Sequence, residues 1–215
     1  MQTLKVIAYI SSGIDTSNPW SPSLDGILAS AYLEHKLGTD KFNIDMALNK
    51  QSTVANLDIA KSEGDEWFYL CSSPIFAVDQ SQTFTQYKRF NHDEHDLIKM
   101  KAKQLQLTKG VHKNTAWNAN VKYCEKVEWH VASNKDYVLS LLQDVTHIGA
   151  NRAAGYGKVD KWAVEEGEDL LARYYRPLPL NNTICDDLKY HKMWWGYRPS
   201  VRIKSNQAYC NMPLK

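Results

Sequence analysis

Short runs of apolar or alternating residues recur along the chain and predict strands. The run Leu4–Ile10 is almost continuously apolar and has the length of a buried strand. Polar and apolar residues alternate over Thr83–Phe90, Val127–Ala132 and 159–165, as in strands with one face in the core. Shorter apolar or aromatic runs of strand character are Trp67–Cys71 and Ile75–Val78.

Two segments repeat their apolar residues with the period of a helix. The first is expected to begin near Ser21 and end at Gly38. The second begins at Ser133, where Asp136, three residues later, suggests a capping box. Gly149 follows this helix, at a point where a positive φ is expected. The apolar stripes are Leu24, Ile27, Leu28 and Ala31 in the first helix and Val138, Leu141, Leu142 and Val145 in the second.

The order of these elements predicts the fold class. A β-α-β-β-α-β order with extra pieces indicates an α+β protein of the ferredoxin-like type with an antiparallel sheet. The region around 100–124 has no long period, so we expect an inserted basic hairpin over approximately 85–125. Residues 1–215 are expected to form a single domain, with 176–215 as a C-terminal segment that wraps it.

The charged residues are unevenly distributed along the chain, which bears on the kind of ligand that the protein binds. The formal net charge is only +2, but residues 100–124 contain five lysines and no acid. Residues 188–215 contain six lysines and arginines, again without an acid. Such asymmetry favours a surface for a polyanion, although solvated loops would give the same composition.

The cysteines and the N-terminal run exclude several classes of protein. The four cysteines are scattered and form no C-x-x-C pair, which argues against a zinc site or a disulfide framework. The first apolar run is too short for a signal peptide or a membrane span. We therefore expect a cytoplasmic protein with no cofactor, no metal and no membrane partner.

The densest cluster of unusual residues is H-I-G-A-N-R-A-A-G-Y-G-K-V-D-K-W, residues 147–162. A Walker loop is excluded because Val159 follows Gly157-Lys158 where a hydroxyl is needed, and because helix and strand come in the opposite order. The spacing also differs from the dinucleotide fingerprint. A tight turn would need only Gly149 and Gly155, which leaves the other unusual residues unexplained.

An RNA-backbone interface accounts for more of these residues. Glycines let a polyanion approach backbone amides, Arg152 offers a planar fork for phosphate, and Tyr156 could stack on a base. The predicted RNA-binding residues of this stretch are Gly149, Asn151, Arg152, Gly155, Tyr156, Gly157 and Lys158.

The predicted hairpin interleaves cations with aromatic residues, a composition that suits a single strand of nucleic acid. A solvated loop with Trp117 packed against the domain is the alternative. His92 and His95 have a spacing compatible with metal binding, but no further ligand is evident, so a polar helix start is favoured. The candidate RNA-binding residues here are Lys88, Arg89, Lys109, His112, Lys113 and Trp117.

Several stretches together resemble a known family. In order they are P-W-S-P-S-L-D-G-I-L-A-S-A-Y, W-F-Y-L-C-S-S-P, Y-K-R-F-N, the glycine-rich stretch, and G-Y-R-P-S near the C-terminus. The sequence resembles the Cas5-like RAMP-superfamily subunit of type IV CRISPR effector complexes. That superfamily's loop is approximately G-h-G, five residues and G-h-G; here His147 replaces the first glycine.

The resemblance implies a non-catalytic subunit that binds the 5′ handle of the guide RNA (crRNA) and caps a filament of RAMP backbone subunits. The hairpin would then be the thumb of the RAMP domain. Implied partners are the backbone subunits, the large subunit and, indirectly, a DinG-type helicase. Target DNA near the protospacer-adjacent motif is a further candidate.

Some relatives cleave precursor guide RNA, so a metal-independent endoribonuclease is the alternative function. It needs a base near the 2′-hydroxyl and a cation beside the phosphate. His112 or Tyr123 could be the base, and Lys113 or Lys122 the cation.

Overall fold

The structure is a computed structural model that describes residues 1–16, 18–37, 56–89, 108 and 113–214. Its strands are β1 (Gln2–Ile10), β2 (Ile14–Asp15), β3 (Ile75–Lys88), β4 (Thr115–Ser133), β5 (Val159–Glu166), β6 (Leu178–Pro179), β7 (Tyr190–Gly196) and β8 (Gln207–Pro213). Its α-helices are α1 (Leu24–Leu37), α2 (Lys135–Leu142) and α3 (Asp169–Tyr174).

The larger sheet is antiparallel and contains the strands predicted from the alternating pattern. Its order is β3-β4-β1-β5, and β2 continues beside β4 beyond the end of β1. Val6 of β1 lies opposite Trp129 on one side and Val164 on the other. The prediction of an α+β protein with an antiparallel sheet is confirmed.

The two strands that lead into the predicted hairpin, β3 and β4, are longer than expected. Thr83–Phe90 and Ile75–Val78 were expected to be separate strands, but Ile75–Lys88 is the single strand β3. Strand β4 likewise runs without a break from Thr115 through Val127–Ala132 to Ser133. Within the described residues, the two sides of the hairpin predicted for about 85–125 are the outer ends of β3 and β4, and residues 90–107 and 109–112 between them lie outside the described part of the chain.

Three local predictions need correction. The cap of α2 is Asn134, whose side chain accepts hydrogen bonds from the amides of Asp136 and Tyr137. The predicted cap, Ser133, instead belongs to β4 and donates its hydroxyl to the carbonyl of Asp58. Gly149 has the predicted positive φ, +87°, but because α2 ends at Leu142 it is not the terminating glycine of that helix. Trp67–Cys71 makes isolated bridges instead of a regular strand.

Helices α1 and α2 pack on the larger sheet and bury its core. The central side chains include Val6 and Trp129 from the sheet with Leu28 and Leu142 from the helices. Each is completely buried, as the two apolar stripes predicted. The described cysteines are free thiols.

The C-terminal segment forms a second, smaller antiparallel sheet of order β6-β8-β7. Its inner side chains, Cys210 and Met212, pack with Phe68 and Leu70 in a separate core cluster. On β7, Trp195 packs against this cluster, whereas Trp194 is 51% exposed. No helix in the described part of the chain is long and apolar enough to cross a membrane.

A buried ion pair connects the two cores. Arg176 and Asp25 are each about 96% buried by side-chain area, with 3.5 Å between Nη2 and Oδ2. The guanidinium also donates to the carbonyl oxygens of Tyr69, Cys71 and Tyr197. It therefore joins the start of α1, the segment before β3 and the end of β7.

Buried His130 predicts a pH dependence of stability. Burial lowers its pKa from the usual value of about 6.5, with Glu168 and Glu128 opposing this shift and Lys5 adding to it. Its Nδ1 accepts a hydrogen bond from the Glu168 amide, which requires this nitrogen to be unprotonated. As the pH falls, His130 therefore becomes protonated in the unfolded chain at a higher pH than in the native chain. The contribution to stability is complete above pH 6.5 or so and is lost as the pH falls below it.

We expect urea unfolding to show a free energy that declines more steeply below about pH 6.5 in the native sequence than in His130→Asn. Asparagine keeps an acceptor near Nδ1 but does not titrate. Identical pH profiles for the two proteins would contradict a neutral, hydrogen-bonded His130.

Candidate nucleic-acid interface

The glycine-rich loop, residues 147–158, is a compact backbone structure between α2 and β5. It is closed by a bridge between His147 and Lys158 and by a hydrogen bond from the Ile148 amide to the Gly157 carbonyl of 2.8 Å. A single 3-10 turn, Arg152–Ala154, forms its tip. The loop therefore presents its middle residues outward on a rigid base.

Two of the glycines serve different purposes. A Cβ on Gly157 would lie 1.8 Å from the carbonyl oxygen of Ile148, so only a glycine lets the two ends of the loop meet. A Cβ on Gly155 would meet nothing within 4 Å, although its φ of +88° also favours glycine. Gly157 is thus needed for internal packing, and Gly155 leaves an open surface.

Most amides at the base of the loop are already used inside the protein. Those of Ala150, Gly157 and Lys158 donate to the Asp15 carbonyl, the Gly13 carbonyl and the Ser12 hydroxyl. The Asn151 side chain donates to the carboxylate of Asp15, which supports the left-handed backbone of Asn151. Within residues 147–158, the amides that have no acceptor among the described residues are those of His147, Gly149, Asn151, Arg152, Ala153 and Tyr156.

The Arg152 side chain is exposed and has no hydrogen bond or ion pair within the described part of the chain. It lines a cavity of about 750 Å³ between the loop and the N-terminal half of α1. Arg202 reaches the same cavity from the C-terminal segment. Hydroxyl groups of Ser23, Ser30 and Thr146 also line it. The cavity thus offers two guanidinium groups and several hydroxyl groups to one ligand, and the acids Asp15, Glu34 and Asp144 also line it.

Arg202 was not among the residues predicted from the sequence. Its position in the acid-free stretch 188–215 was the available signal, but Arg202 lies 50 positions after Arg152 along the chain. Only the packing of the C-terminal segment brings both arginines to one cavity.

The outer ends of β3 and β4 form a two-stranded ribbon, residues 80–88 and 115–123, with directly opposed residues on a common face. Gln86 lies opposite Trp117, and its Nε2 donates to the hydroxyl of Tyr156 in the loop at 2.9 Å. Lys88, two positions from Gln86, shares this side by alternation. We call Gln86, Lys88 and Trp117 the loop-side face.

The structure therefore places Tyr156 of the loop on the same side of the ribbon as Trp117 and Lys88. Trp117 is 38% exposed and so presents part of its ring to solvent. Arg89, by alternation, lies on the opposite side, with its guanidinium 5.2 Å from the ring centre of Tyr87. Lys113 is exposed just before β4. Lys109 and His112, like His92 and His95, lie outside the described residues.

Within the described residues, no group of three or more His, Cys, Asp or Glu side chains could hold a metal ion. The site contains arginine and lysine cations, small hydroxyl groups and partly exposed aromatic rings, beside the three acids that line the cavity. This combination suits a ligand with phosphate groups and unstacked bases.

Comparison with known proteins gives one family match. The model of the family described as "CRISPR type IV associated protein Csf3" matches residues 2–200. None of the curated proteins compared with the chain matches it. One similar solved structure is described as "Cryo-EM structure of the Type III-B Cmr-beta bound to cognate target RNA", with 11% identity and a TM-score of 0.32. The match covers 77% of this chain but only 61% of that one.

Proposed function

The chain belongs to the Csf3 family of type IV CRISPR-associated proteins, and from this premise we propose that it is a non-catalytic RNA-binding subunit of the type IV complex. In this proposal it binds the 5′ handle of the guide RNA and caps the filament of backbone subunits. The observation that carries the proposal is the pair Arg152 and Arg202 at one cavity beside the glycine-rich loop.

The chemistry of this cavity supports the binding of a ribose-phosphate strand. Guanidinium groups form paired hydrogen bonds with phosphate oxygens, and an exposed arginine without an internal partner is available for this role. The Arg152 and Ala153 amides lie at the same turn and add backbone donors. The hydroxyl groups on the α1 side can bind sugar and phosphate oxygens.

The loop-side face supports the same proposal. A strand that leaves the cavity along the loop reaches Tyr156 and then Trp117, whose rings could stack on unpaired bases. Lys88 would neutralise a phosphate beside them. The strand order β3-β4-β1-β5 with two helices supports a ferredoxin-like RAMP domain, in which the ribbon is the thumb.

The remaining parts of the proposal concern partners. We propose that RAMP backbone subunits and the large subunit bind this chain in the complex, with target DNA near the protospacer-adjacent motif as a neighbour. A DinG-type helicase would act with the assembled particle.

Cleavage of precursor guide RNA is the alternative function. To test it, the purified protein is incubated with repeat RNA in EDTA, and we expect the RNA to stay intact.

We expect Arg152→Glu to weaken binding of repeat-derived RNA by about ten- to a hundredfold, the effect of losing charge-assisted contacts and adding a repulsive charge. The measurement is fluorescence anisotropy with labelled repeat RNA, together with the guide RNA that co-purifies with the assembled subunits. Unfolding in urea should be unchanged, since the side chain is exposed and unpaired in the described structure.

Lys135→Glu is the matched control because Lys135 is an exposed cation at the first turn of α2, remote from the loop. It should retain RNA binding. Equal losses in both variants would indicate unspecific attraction, and full binding by Arg152→Glu would remove the loop from the RNA interface.

A further inference from the structure

The ribbon has a second face that the proposed site does not use. It is formed by the polar residues of β3 and β4 that alternate with the loop-side face. We call it the outer face and define it by Ser81, Thr83, Thr85, Asn118, Asn120 and Lys122. These residues lie in opposed pairs, Ser81 with Lys122, Thr83 with Asn120 and Thr85 with Asn118.

Hydrogen bonds within these pairs orient the two asparagines in the same way. The Thr83 hydroxyl donates to Oδ1 of Asn120 at 3.0 Å, and the Thr85 hydroxyl donates to Oδ1 of Asn118 at 3.1 Å. Each amide oxygen is therefore occupied, while each Nδ2 group keeps its two hydrogens for an external acceptor. The result is a repeat of identical donors along the strand.

The spacing of this repeat follows from strand geometry. Residues two apart on an antiparallel strand are separated by about 6.8 Å, so Asn118, Asn120 and Lys122 offer donors at regular steps. This step is comparable to the distance between successive phosphates of an extended nucleic-acid strand. Tyr87 lies on the same side and is 61% exposed, which provides a ring on which a base could stack.

Lys122 ends the row and adds a positive charge to it. No carboxylate pairs with it among the side chains that the structure describes, whereas Lys126 on the same strand lies 2.6 Å from Glu128. Its ammonium group lies 4.1 Å from the ring centre of Phe76, and partial burial lowers its pKa. Since burying an unpaired charge is unfavourable, an anionic ligand would stabilise this arrangement.

A cavity of about 300 Å³ lies where the row ends. Its polar lining consists of Lys122 and of hydroxyl and amide side chains, without an acid: Thr16, Asn18, Ser81, Gln82, Thr83 and Asn120. This composition favours an oxyanion over a cation or an apolar ligand. A phosphate seated there would be continuous with the asparagine donors.

We propose that the outer face binds the sugar-phosphate backbone of a second single strand of nucleic acid. One phosphate occupies the cavity at Lys122, and the following backbone groups accept hydrogen bonds from Asn120 and Asn118. The inference rests on the proposed function for the first strand, which lies on the opposite face of the ribbon. A regular row of neutral donors fits a repeating backbone better than an acidic peptide, whose carboxylates have no fixed spacing.

The test counts strands per chain. The full-length protein is titrated with fluorescein-labelled oligouridine and, separately, oligothymidine, at protein concentrations above the native dissociation constants but below those expected of the weakened sites. We expect two oligonucleotides per chain in the native sequence, and one each in Lys122→Gln and in Arg152→Glu. In Arg152→Glu, adding Lys122→Gln should weaken the remaining binding about tenfold and reduce its salt dependence by about 0.7 in log–log slope.

The controls separate this inference from the proposed function. Lys126→Gln removes a lysine of the same strand that is paired with Glu128, and it should retain two oligonucleotides. If Arg152→Glu has no effect but Lys122→Gln removes binding, the result supports a binding site on the outer face and contradicts the proposed site at Arg152. If Lys122→Gln keeps two oligonucleotides, the inference is overturned. It is also overturned if polyglutamate competes as well as an oligonucleotide of equal charge, because the occupant would then be an acidic protein.

Discussion

Replacing Gly157 by alanine is expected to destabilise the protein by roughly 3 kcal/mol or more, because two unfavourable terms add. The new Cβ would lie 1.8 Å from the carbonyl oxygen of Ile148, a backbone atom that cannot rotate away. The residue also has a φ of +68°, which side chains rarely adopt. Urea denaturation of the full chain measures the change, and RNA binding should fall with it because the loop loses its closure.

Gly155→Ala is the matched control, since it lies in the same loop and also has a positive φ of +88°. It has open space around the added Cβ, so only the backbone term remains, about 1–2 kcal/mol. The difference between the two variants isolates the close approach of Gly157 to Ile148. Equal destabilisation would show that the loop does not close in this way.

The second large effect is expected for Arg176→Met, which should cost about 3–5 kcal/mol of folding free energy. Methionine keeps much of the side-chain volume but leaves Asp25 buried without its cation, 3.5 Å from where Nη2 had been. It also removes the donors to the carbonyl oxygens of Cys71 and Tyr197. Chemical denaturation followed by intrinsic tryptophan fluorescence is a suitable measurement.

Two further variants make this result interpretable. The double variant Arg176→Met with Asp25→Asn should recover part of the loss, because the unpaired charge is gone. Arg173→Met removes an exposed arginine paired with Asp169 and should change stability by about 0.5 kcal/mol or less. A small effect of Arg176→Met would mean that the two cores do not depend on this ion pair.

Secondary structure was predicted correctly where the buried residues repeat along the chain with the period of a strand or a helix. Strand β1 and helix α1 follow apolar patterns that the sequence displays directly, and both are in the core. The pattern failed at Trp67–Cys71, where aromatic residues are buried between the two cores without forming a regular strand. Their burial comes from contacts with distant segments, which a local period does not record.

The candidate site was also predicted only in part. The glycines, Arg152 and Tyr156 are adjacent in sequence, so their unusual composition was visible. Fewer backbone amides of the loop are available to a ligand than predicted. Some of them donate hydrogen bonds to the carbonyl oxygens of Gly13 and Asp15, which are distant along the chain. The arrival of Arg202 at the same cavity depends on the path of the C-terminal segment.

By itself, the sequence determined the apolar periods of the main strands and helices and the charge asymmetry. It also displayed the motifs of the family, because each of these is a property of residues close together along the chain. The tertiary structure decided which amides remain available for a ligand, that Tyr156 lies on the same side of the ribbon as Trp117, and that the two faces of the ribbon differ. These depend on strand register and on contacts between distant segments, and a one-residue change of register would exchange the two faces.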